Sequence, residues 1–347
     1  MSNEPRPVDL KNISKILVIR LGPFGDVLLT TSYFESLKKH FPHTELHYLM
    51  KEPYHKAVLH HPFIDRLITI PKSKGIAYYT QRVKTIKQLR KEKYDLVIDQ
   101  QGKPSSQIFT WLSGAPIRLG FSHTRFHQAY NVKSSRGPVR YSASAKFDIL
   151  KPLNIPEQPY MIYFHISQSA QEYIDTWLRE QNIFPEQVIL VSPGSPVPRK
   201  KWRAENYARL CDLIVQKLGF RIVLLWAPGE KEDCLNIQKM MESPAVLAPP
   251  TSLEQAAAFL RRCRLLLCND GGLNHLAVAT GTTTLAIFGN EDPQFWSPAT
   301  VFGHHHHLHV PGDWRHDNSF GISPETAFAE IERILGIKMK KDIIKND

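Results

Sequence analysis

The sequence contains little that would suit an extracellular, zinc-binding or membrane-spanning protein. It has four cysteines among 347 residues, and none of them forms a C-x-x-C pair. Cys263 and Cys268 flank an apolar segment, which is typical of buried, inert thiols rather than of a disulfide framework or a zinc site. No apolar run approaches the roughly 20 residues that span a bilayer, and residues 1–12 are polar, without a secretory apolar segment. We therefore expect a cytoplasmic protein.

Common nucleotide-binding and nucleic-acid-binding motifs are also absent. The loop after the first apolar segment has glycines spaced G-x-x-G, at Gly22 and Gly25, which differs from the G-x-G-x-x-G of dinucleotide-binding folds. No G-K-[ST] of a P-loop follows it, and no Asp-x-Asp pair occurs in the chain. No zinc-finger or RNA-recognition signature accompanies the net charge of +11. That charge favours an anionic partner: nucleic acid, an acidic membrane surface or a phosphorylated substrate.

Short apolar segments alternate with helical patterns in both halves of the chain. The predicted strands are 15–21, 45–50, 66–70, 95–99, 187–191, 220–226, 264–268 and 283–288. This alternation is typical of parallel, doubly wound α/β sheets, and the chain length favours two domains. The proline-rich segment 150–159 is predicted to be the linker. Residues 120–144 are basic, aromatic and irregular, and either grip an anionic substrate or form a mobile insertion.

Three helices, at 51–60, 76–91 and 104–112, are predicted between strands of the first half. The basic run 82–93 falls on the second of them. Val83, Ile86 and Leu89 are predicted to face inward, so the charges around them would form an ordinary solvated face.

Four adjacent histidines, His304–His307, are predicted to lie in a loop. Neighbouring histidines in a loop do not converge on one metal ion, so the role of this run stays open.

Polar residues follow the predicted ends of strands in the first half. Asp26 lies in the first helical turn after strand 15–21, and Gln101 follows strand 95–99. Ligands of open α/β sheets bind at this edge. Asp26 is therefore either a functional carboxylate or an acid that complements a helix dipole. We favour the functional interpretation because the two-glycine loop leaves the carboxylate accessible.

The segment 263–289 has a strand–turn–helix–strand pattern in the second half. Asn269, Asp270, Gly271 and Gly272 form the turn, and His275 lies in the helix that follows. A glycine turn at a helix start exposes backbone N–H groups that suit a phosphate, but an ordinary βαβ connection has the same pattern. Three more polar residues follow strand ends in this half: Ser195, Lys200 and Glu230.

Four segments, taken in chain order, carry a family resemblance. They are ILVIRLGPFGDVLLTTSYFESLKKHFP, VSPGSPVPRKKWRAENYARL, APGE and NDGGLNHLAVATGTTTLAIFGNEDPQFWSP. They resemble glycosyltransferase family 9, which includes the ADP-heptose:lipopolysaccharide heptosyltransferases I and II. The resemblance implies an α/β GT-B fold, in which two Rossmann-like, doubly wound parallel-sheet domains face a central cleft. Residues 1–160 would bind the acceptor and 161–320 the nucleotide-sugar donor, while 321–347 would return as a helix to the N-terminal domain.

The resemblance also implies roles for individual residues. Asp26 matches the proposed general base, and Lys200 matches the lysine that meets the donor diphosphate. The candidates for donor binding are Ser195, Glu230, Asp270, Gly271, Gly272 and His275. The candidates for acceptor binding are Gly22, Gly25, Gln101 and Arg125. The resemblance also implies an inverting reaction that needs no metal. The ADP-sugar would be a substrate, so no cofactor is expected.

The predicted function is transfer of a heptose, or a related sugar, from an ADP-sugar to a lipopolysaccharide inner-core acceptor. Such an acceptor is anionic and lipid-linked. The net charge and the basic loop Arg118–Arg140 therefore favour peripheral contact with the inner face of the inner membrane. Because no nucleic-acid-binding signature is present, no nucleic acid partner is expected. A nucleotide-sugar epimerase or hydrolase, and a non-catalytic nucleotide-sugar-binding protein, remain as alternatives. Gly271, where the family usually has a hydroxyl, and Asn290-Glu291-Asp292 leave the exact donor open.

Overall fold

The structure is a computed structural model that describes residues 13–337. These residues form two compact units: the first extends to Ile166, and the second begins at Ser167, apart from Val278–Thr280, which group with the first. Each unit is built on one six-stranded sheet. The predictions for the polar segment 1–12 and for residues 338–347 of the predicted C-terminal segment 321–347 lie outside the described residues.

The first unit alternates strands and helices as predicted. Its strands are β1 (Lys15–Ile19), β2 (Glu45–Lys51), β3 (Arg66–Ile70), β4 (Leu96–Asp99), β5 (Ile117–Phe121) and β6 (Val132–Ser134). Its helices are α1 (Phe24–Thr30), α2 (Phe34–His40), α3 (Ile76–Glu92), α4 (Pro104–Leu112) and α5 (Ser142–Ala145). The strands pair in the order β3-β2-β1-β4-β5-β6, and all pairs are parallel.

The second unit repeats the same topology. Its strands are β7 (Val188–Ser192), β8 (Arg221–Leu224), β9 (Ala245–Leu247), β10 (Leu265–Asn269), β11 (Thr284–Phe288) and β12 (His305–His309). Its helices are α6 (Gln168–Glu180), α7 (Ala204–Leu218), α8 (Lys231–Met240), α9 (Leu253–Arg262), α10 (Gly272–Thr280), α11 (Pro293–Trp296) and α12 (Pro324–Leu335). The strands pair in the order β12-β11-β10-β7-β8-β9, again all parallel.

The central strands are continuously apolar because both faces of each sheet are buried. Every residue of β7, β10 and β11 is buried. In each unit the first and fourth strands lie side by side, as β1 and β4 in one sheet and β7 and β10 in the other. The strand order reverses there, so this is the switch point at which doubly wound sheets bind ligands.

Three local predictions in the first unit were wrong. The predicted helix 51–60 is only a 3₁₀ turn, Tyr54–Ala57. The irregular segment 120–144 contributes β6, which extends the sheet beside β5. The first four residues of the predicted linker, 150–153, end a 3₁₀ helix, Lys146–Leu153, that buries apolar side chains in the first unit. Short elements of this kind have too few residues to show a periodicity.

Two predictions about later segments also need correction. Part of the segment expected to return to the N-terminal domain is α12, which instead packs its buried face, including Phe328 and Ile331, into the core of the second unit. His305–His307 lie in the edge strand β12 rather than in a loop. Among residues 13–337, no helix combines the length and apolar character that crossing a bilayer requires.

The inward face of α3 is offset from the predicted one. Thr85 and Leu89 are buried, whereas Val83 is 50% exposed. Arg82 takes the inward position next to Val83, with its guanidinium 4.8 Å from the centre of the Phe109 ring on α4. Positions 82, 85, 86 and 89 share one face at helical spacing, and this stripe leaves Val83 outside.

We predict unequal costs for truncating two of the apolar residues of α3, Leu89 and Val83. Leu89→Ala leaves a cavity in a packed interior and should lower the free energy of unfolding by about 2–5 kcal/mol. Val83→Ala, the matched control, should change it by no more than about 0.5 kcal/mol because the side chain is largely exposed. Urea unfolding measures both values. Similar losses for the two variants would contradict the offset face.

Candidate active site

The loop after β1 holds the first group of candidate residues. Gly22 has φ +130°, and a Cβ atom there would lie 2.3 Å from the Tyr54 ring. Only glycine fits this close approach. The loop leads into the first turn of α1, which contains Gly25 and Asp26. Both lie beyond the carboxyl end of β1, at the switch point of the first sheet.

Asp26 is held between two cations. It is 9% exposed, and Lys146 donates to its Oδ1 at 2.7 Å. Arg20 forms an ion pair with the other oxygen, Oδ2. Burial alone would raise the pKa of Asp26, but the charges of Lys146 and Arg20 outweigh burial and lower this pKa to about 2. Burial lowers the pKa of Lys146 to about 8, although Asp26 opposes that shift.

The loop after β4 supports the Gly22 loop. Gln101 Oε1 accepts a hydrogen bond at 3.0 Å from the backbone N–H of Leu21. The buried carboxylate of Asp99 accepts from the N–H groups of Gln101 and Gly102, both at 3.0 Å, and from the Tyr130 hydroxyl at 2.8 Å. Gln101 therefore lies at the predicted edge, where its side-chain oxygen fixes the backbone between β1 and α1.

The basic loop Arg118–Arg140 is less available than its composition indicates. Arg118 donates to the carbonyls of Ala115 and Ala129, and Arg140 is paired with Asp148 and Glu157. Arg125 is exposed, with its guanidinium 5.4 Å from the centre of the Phe126 ring. Among the contacts of residues 13–337, none joins Arg125 to Asp26, so Arg125 stays a predicted acceptor ligand.

Lys200 and Asp270 meet at the switch point of the second sheet. Lys200 Nζ donates to Asp270 Oδ2 at 2.5 Å and lies 3.6 Å from Glu291 Oε1. Asp270 is 4% exposed, and its own N–H donates to the carbonyl of Ile287. Residues 70 positions apart in the chain thus form one charged group. Glu291 also pairs with Arg199 at 3.2 Å.

Asn269, the last residue of β10, fixes the position of this pair. Its Oδ1 accepts from the Trp202 N–H and from the Tyr207 hydroxyl, both at 3.0 Å. Its Nδ2 donates to the carbonyl of Pro193 at 2.7 Å. One buried amide therefore connects β10, the loop after β7 and the start of α7. Because Trp202 is two residues after Lys200, this anchor also holds Lys200 beside Asp270.

Glu230 lies against the glycine of the loop after β7. A Cβ atom at Gly194 would lie 2.2 Å from Glu230 Oε2, so a side chain there would displace the carboxylate. Burial raises the pKa of Glu230. Ser195 is buried, and its Oγ accepts from the Val197 N–H at 3.2 Å. The structure thus brings Glu230 to the loop that carries Ser195.

The glycine turn leads directly into α10. Gly272 is the first residue of this nine-residue helix, and Gly271 precedes it. A Cβ atom at Gly271 would meet only the Asn269 carbonyl oxygen, at 3.9 Å, so a larger residue would also fit there. His275 is buried, with its ring centre 6.0 Å from that of Trp296. The start of α10 therefore lies directly beside Asp270.

No metal-binding arrangement is formed by the described part of the chain: no three His, Cys, Asp or Glu side chains converge in residues 13–337. His305 of β12 is buried, and its Nδ1 lies 2.8 Å from the Thr284 hydroxyl. Burial lowers the pKa of His305 to about 3, so this imidazole is neutral.

The two parallel sheets, each with its polar group at the switch point, define a GT-B-type, two-domain α/β protein with Rossmann-like units. Residues 82–309 match the family model described as glycosyltransferase family 9 (heptosyltransferase). The chain therefore belongs to this family and is a glycosyltransferase.

Known relatives cover most of the chain. It is 25% identical over 295 residues to lipopolysaccharide heptosyltransferase 1 of Campylobacter coli, covering 79% of this chain and 84% of the relative. A family 9 glycosyltransferase of Veillonella parvula has the same fold, with a TM-score of 0.83, 24% identity and coverage of 94% and 98%. E. coli WaaC, solved with ADP-2-deoxy-2-fluoro heptose, has a TM-score of 0.71, 20% identity and coverage of 92% and 99%.

Sequence reasoning missed four residues of these two groups: Arg20, Lys146, Asn269 and Glu291. Arg20 and Asn269 are polar residues at or just after the ends of apolar strands, a signal that was present in the sequence. Lys146 is a single cation between small and apolar residues, which is unusual for a solvated lysine. Glu291 was noted only as a departure from the family pattern.

We predict that Asp26 and Lys146 stabilise the fold as a pair. At pH 6, Asp26→Asn leaves a buried lysine without its carboxylate and should cost about 3–5 kcal/mol of unfolding free energy. The double variant Asp26→Asn, Lys146→Met should recover part of that loss, because it removes one of the two cations that Asp26 neutralises and leaves only Arg20 without its carboxylate. Urea unfolding of the two single variants and the double variant gives the coupling free energy between Asp26 and Lys146. If the losses of the two single variants simply add in the double variant, the two residues do not act as a pair.

The cost of Asp26→Asn should also depend on pH. The pKa of Asp26 is about 2 in the folded protein, below the ordinary value of 3.8. The contribution of ionised Asp26 to the free energy of unfolding is therefore complete above about pH 4 and is lost as the pH falls through about 2. The difference between wild type and Asp26→Asn should shrink over that interval.

Proposed function

We propose that this protein is an inverting, metal-independent transferase that moves a heptose, or a related sugar, from an ADP-sugar to a lipopolysaccharide inner-core acceptor. The observation that carries the proposal is the Lys200–Asp270 contact of 2.5 Å beside the start of α10. A cation, a carboxylate and the N-terminal end of α10 lie together at the switch point of the second sheet. This combination suits a sugar diphosphate.

The donor diphosphate would be bound by Lys200 and the start of α10. As the glycosidic bond breaks, negative charge grows on the leaving nucleotide, and a preorganised cation and backbone N–H groups stabilise that charge. Asp270 holds Lys200 in place and offers carboxylate oxygens to the hydroxyls of the sugar. Glu230 would bind the nucleoside side from the loop that carries Ser195, and His275 follows within the first turn of α10. No metal is needed for this division of roles.

Asp26 would act as the base that accepts the proton of the acceptor hydroxyl. With a pKa of about 2, its carboxylate is ionised throughout the physiological range and can always accept a hydrogen bond. It is a weak base toward a neutral hydroxyl. The hydroxyl becomes much more acidic once its oxygen bonds to the sugar carbon, so the proton would move late in the reaction.

The acceptor would bind at the switch point of the first sheet. Arg20 and Lys146 carry two positive charges against the single negative charge of Asp26, so this group suits an anionic sugar. Gly22 and Gly25 would let the acceptor approach the backbone, and Arg125 would contact it from the β5–β6 loop. A lipid-linked acceptor further implies peripheral contact with the inner face of the inner membrane.

We predict that Asp26→Asn abolishes transfer while leaving the Kd for the ADP-sugar within about twofold, because the residue belongs to the first unit and the donor group to the second. Loss of a general base typically costs about 10²–10⁴-fold in rate. Turnover assays and calorimetry measure the two effects.

Asp65→Asn, which removes a lysine-paired carboxylate before β3, is the control and should keep wild-type turnover. Full turnover by Asp26→Asn would remove Asp26 as the base, and full-rate sugar release without acceptor would contradict transfer.

We also predict that ADP binds more tightly than UDP or GDP in calorimetric titrations, and that EDTA leaves ADP affinity and turnover unchanged. Lys200→Met should weaken ADP binding about tenfold or more, because a charge-assisted hydrogen bond to phosphate is lost. Lys201→Met, the neighbouring residue that pairs with Asp233, is the matched control. A strict requirement for Mg²⁺ or Mn²⁺ would exclude the metal-free mechanism.

A further inference from the structure

The outward face of α3 exposes apolar side chains in a way that a purely solvated helix does not. Ile76 is 83% exposed, Tyr79 is 68% exposed and Val83 is 50% exposed. Their spacing of three and four residues places them along one side of the helix. The offset packing of α3 through Thr85 and Leu89 turns this apolar row away from the protein.

The same helix is strongly basic. Two exposed cations, Lys72 and Lys74, precede the helix. Four more lie on its outward face: Lys84, Lys87, Arg90 and Lys91. Its single acid, Glu92, is paired with Lys15 and Arg66. No ion pair among the described residues neutralises any of the six cations. The first turns of the face are therefore apolar, and its last turns are basic.

The neighbouring helix α4 extends the apolar part of this surface. Ile108, Trp111 and Leu112 are 43%, 65% and 36% exposed, and they share one side of α4 at helical spacing. Arg82 joins the two helices, because it lies over the Phe109 ring of α4 and donates to the Ser105 carbonyl at 3.0 Å. The α3–α4 surface is defined here as these three residues of α4, the apolar row of α3 and the six cations.

We propose that the α3–α4 surface docks the protein on an anionic phospholipid bilayer. The apolar row and Trp111 would insert at the boundary between headgroups and acyl chains, as amphipathic and aromatic side chains do at membrane interfaces. The six cations would contact acidic headgroups. Stable binding of a protein to a membrane surface generally needs two weak signals, and this surface supplies both.

Charge complementarity favours a lipid surface over other occupants. A second copy of this chain would bring the same cations against these and would repel them. A nucleic acid would use the cations but leave the protruding apolar row without a partner. An anionic bilayer satisfies the cations and buries the apolar row at the same time.

The biological reason for membrane docking rests on the proposed function, because a lipid-linked acceptor lies in a membrane. The physical claim is independent of catalysis. Vesicle binding needs neither donor nor acceptor, and transfer to a lipid-free acceptor sugar needs no vesicle. The two ideas can therefore fail separately.

The test is co-sedimentation of the full chain with vesicles of phosphatidylglycerol and phosphatidylcholine. Wild type should bind vesicles rich in phosphatidylglycerol, should release them as salt shortens the Debye length, and should bind pure phosphatidylcholine far more weakly. The triple variant Lys87→Gln, Arg90→Gln, Lys91→Gln should weaken binding on the order of 100-fold, at about fivefold for each basic residue. The variant Ile76→Ser, Tyr79→Ser, Val83→Ser should weaken it about tenfold or more.

Matched variants on the second unit provide the controls. Lys239→Gln, Arg261→Gln, Arg264→Gln removes the same charge from exposed positions, and Phe184→Ser, Met240→Ser, Val301→Ser removes exposed apolar groups. Both controls should bind vesicles like wild type. Equal losses in test and control variants, or unchanged binding in the test variants, would overturn the proposal. The proposal would also be overturned if a test variant changed the oligomeric state or the binding of single-stranded DNA and left vesicle binding unchanged. Vesicle binding without sugar transfer would instead reject the proposed function alone.

Discussion

The Lys200–Asp270 group depends on the buried side-chain amide of Asn269. This one amide accepts two hydrogen bonds and donates a third, and it thereby joins the end of β10 to both ends of the loop after β7 and to the first turn of α7. A buried amide with unmet hydrogen bonds costs about 1–3 kcal/mol for each unsatisfied group. The three segments are therefore held in one arrangement. Lys200 and Asp270 can lie 2.5 Å apart because the backbone on either side of them is fixed.

The two units use the same topology to build groups of different charge balance. In the first, one carboxylate, Asp26, lies between two cations. In the second, Lys200 lies near the carboxylates of Asp270 and Glu291, and Glu291 also pairs with Arg199. In the proposed transfer, the net positive group of the first unit would suit an anionic acceptor. A ligand of Lys200 would have to compete with two carboxylates, which favours a doubly charged diphosphate over a neutral group.

The sequence was sufficient for most of the fold because parallel strands buried on both faces leave a plain signal. The strands that contain Leu267 and Ile287 were predicted from their continuous apolar character. Lys200 and Asp270 were both placed after strand ends in the second half of the chain, although their direct contact was not predicted. Family membership was also predicted, from four segments whose order is more specific than any glycine loop.

What the sequence could not supply depends on packing between elements. Val83 was predicted to face inward because an apolar residue at helical spacing usually does, but a stacked arginine, Arg82, occupies the adjacent inward position. Lys146 is 120 residues from Asp26, and no local pattern links them. β6 has only three residues, which is too short for a period. Asn269 was predicted only as one of the turn residues, since its three partners lie 62 to 76 residues earlier in the chain and only the fold brings them to it.

The charge environment of Asp26 constrains the order of events in the proposed transfer. Two cations that lower a carboxylate pKa to about 2 make early proton abstraction from a neutral hydroxyl unfavourable. The same cations keep the carboxylate ionised and fixed, so that it orients the hydroxyl by a hydrogen bond before any bond changes. Bond formation to the sugar carbon would then make the hydroxyl acidic enough for a weak base to take its proton. A base of this kind contributes mainly through orientation at first, and through proton acceptance only as the new bond is completed.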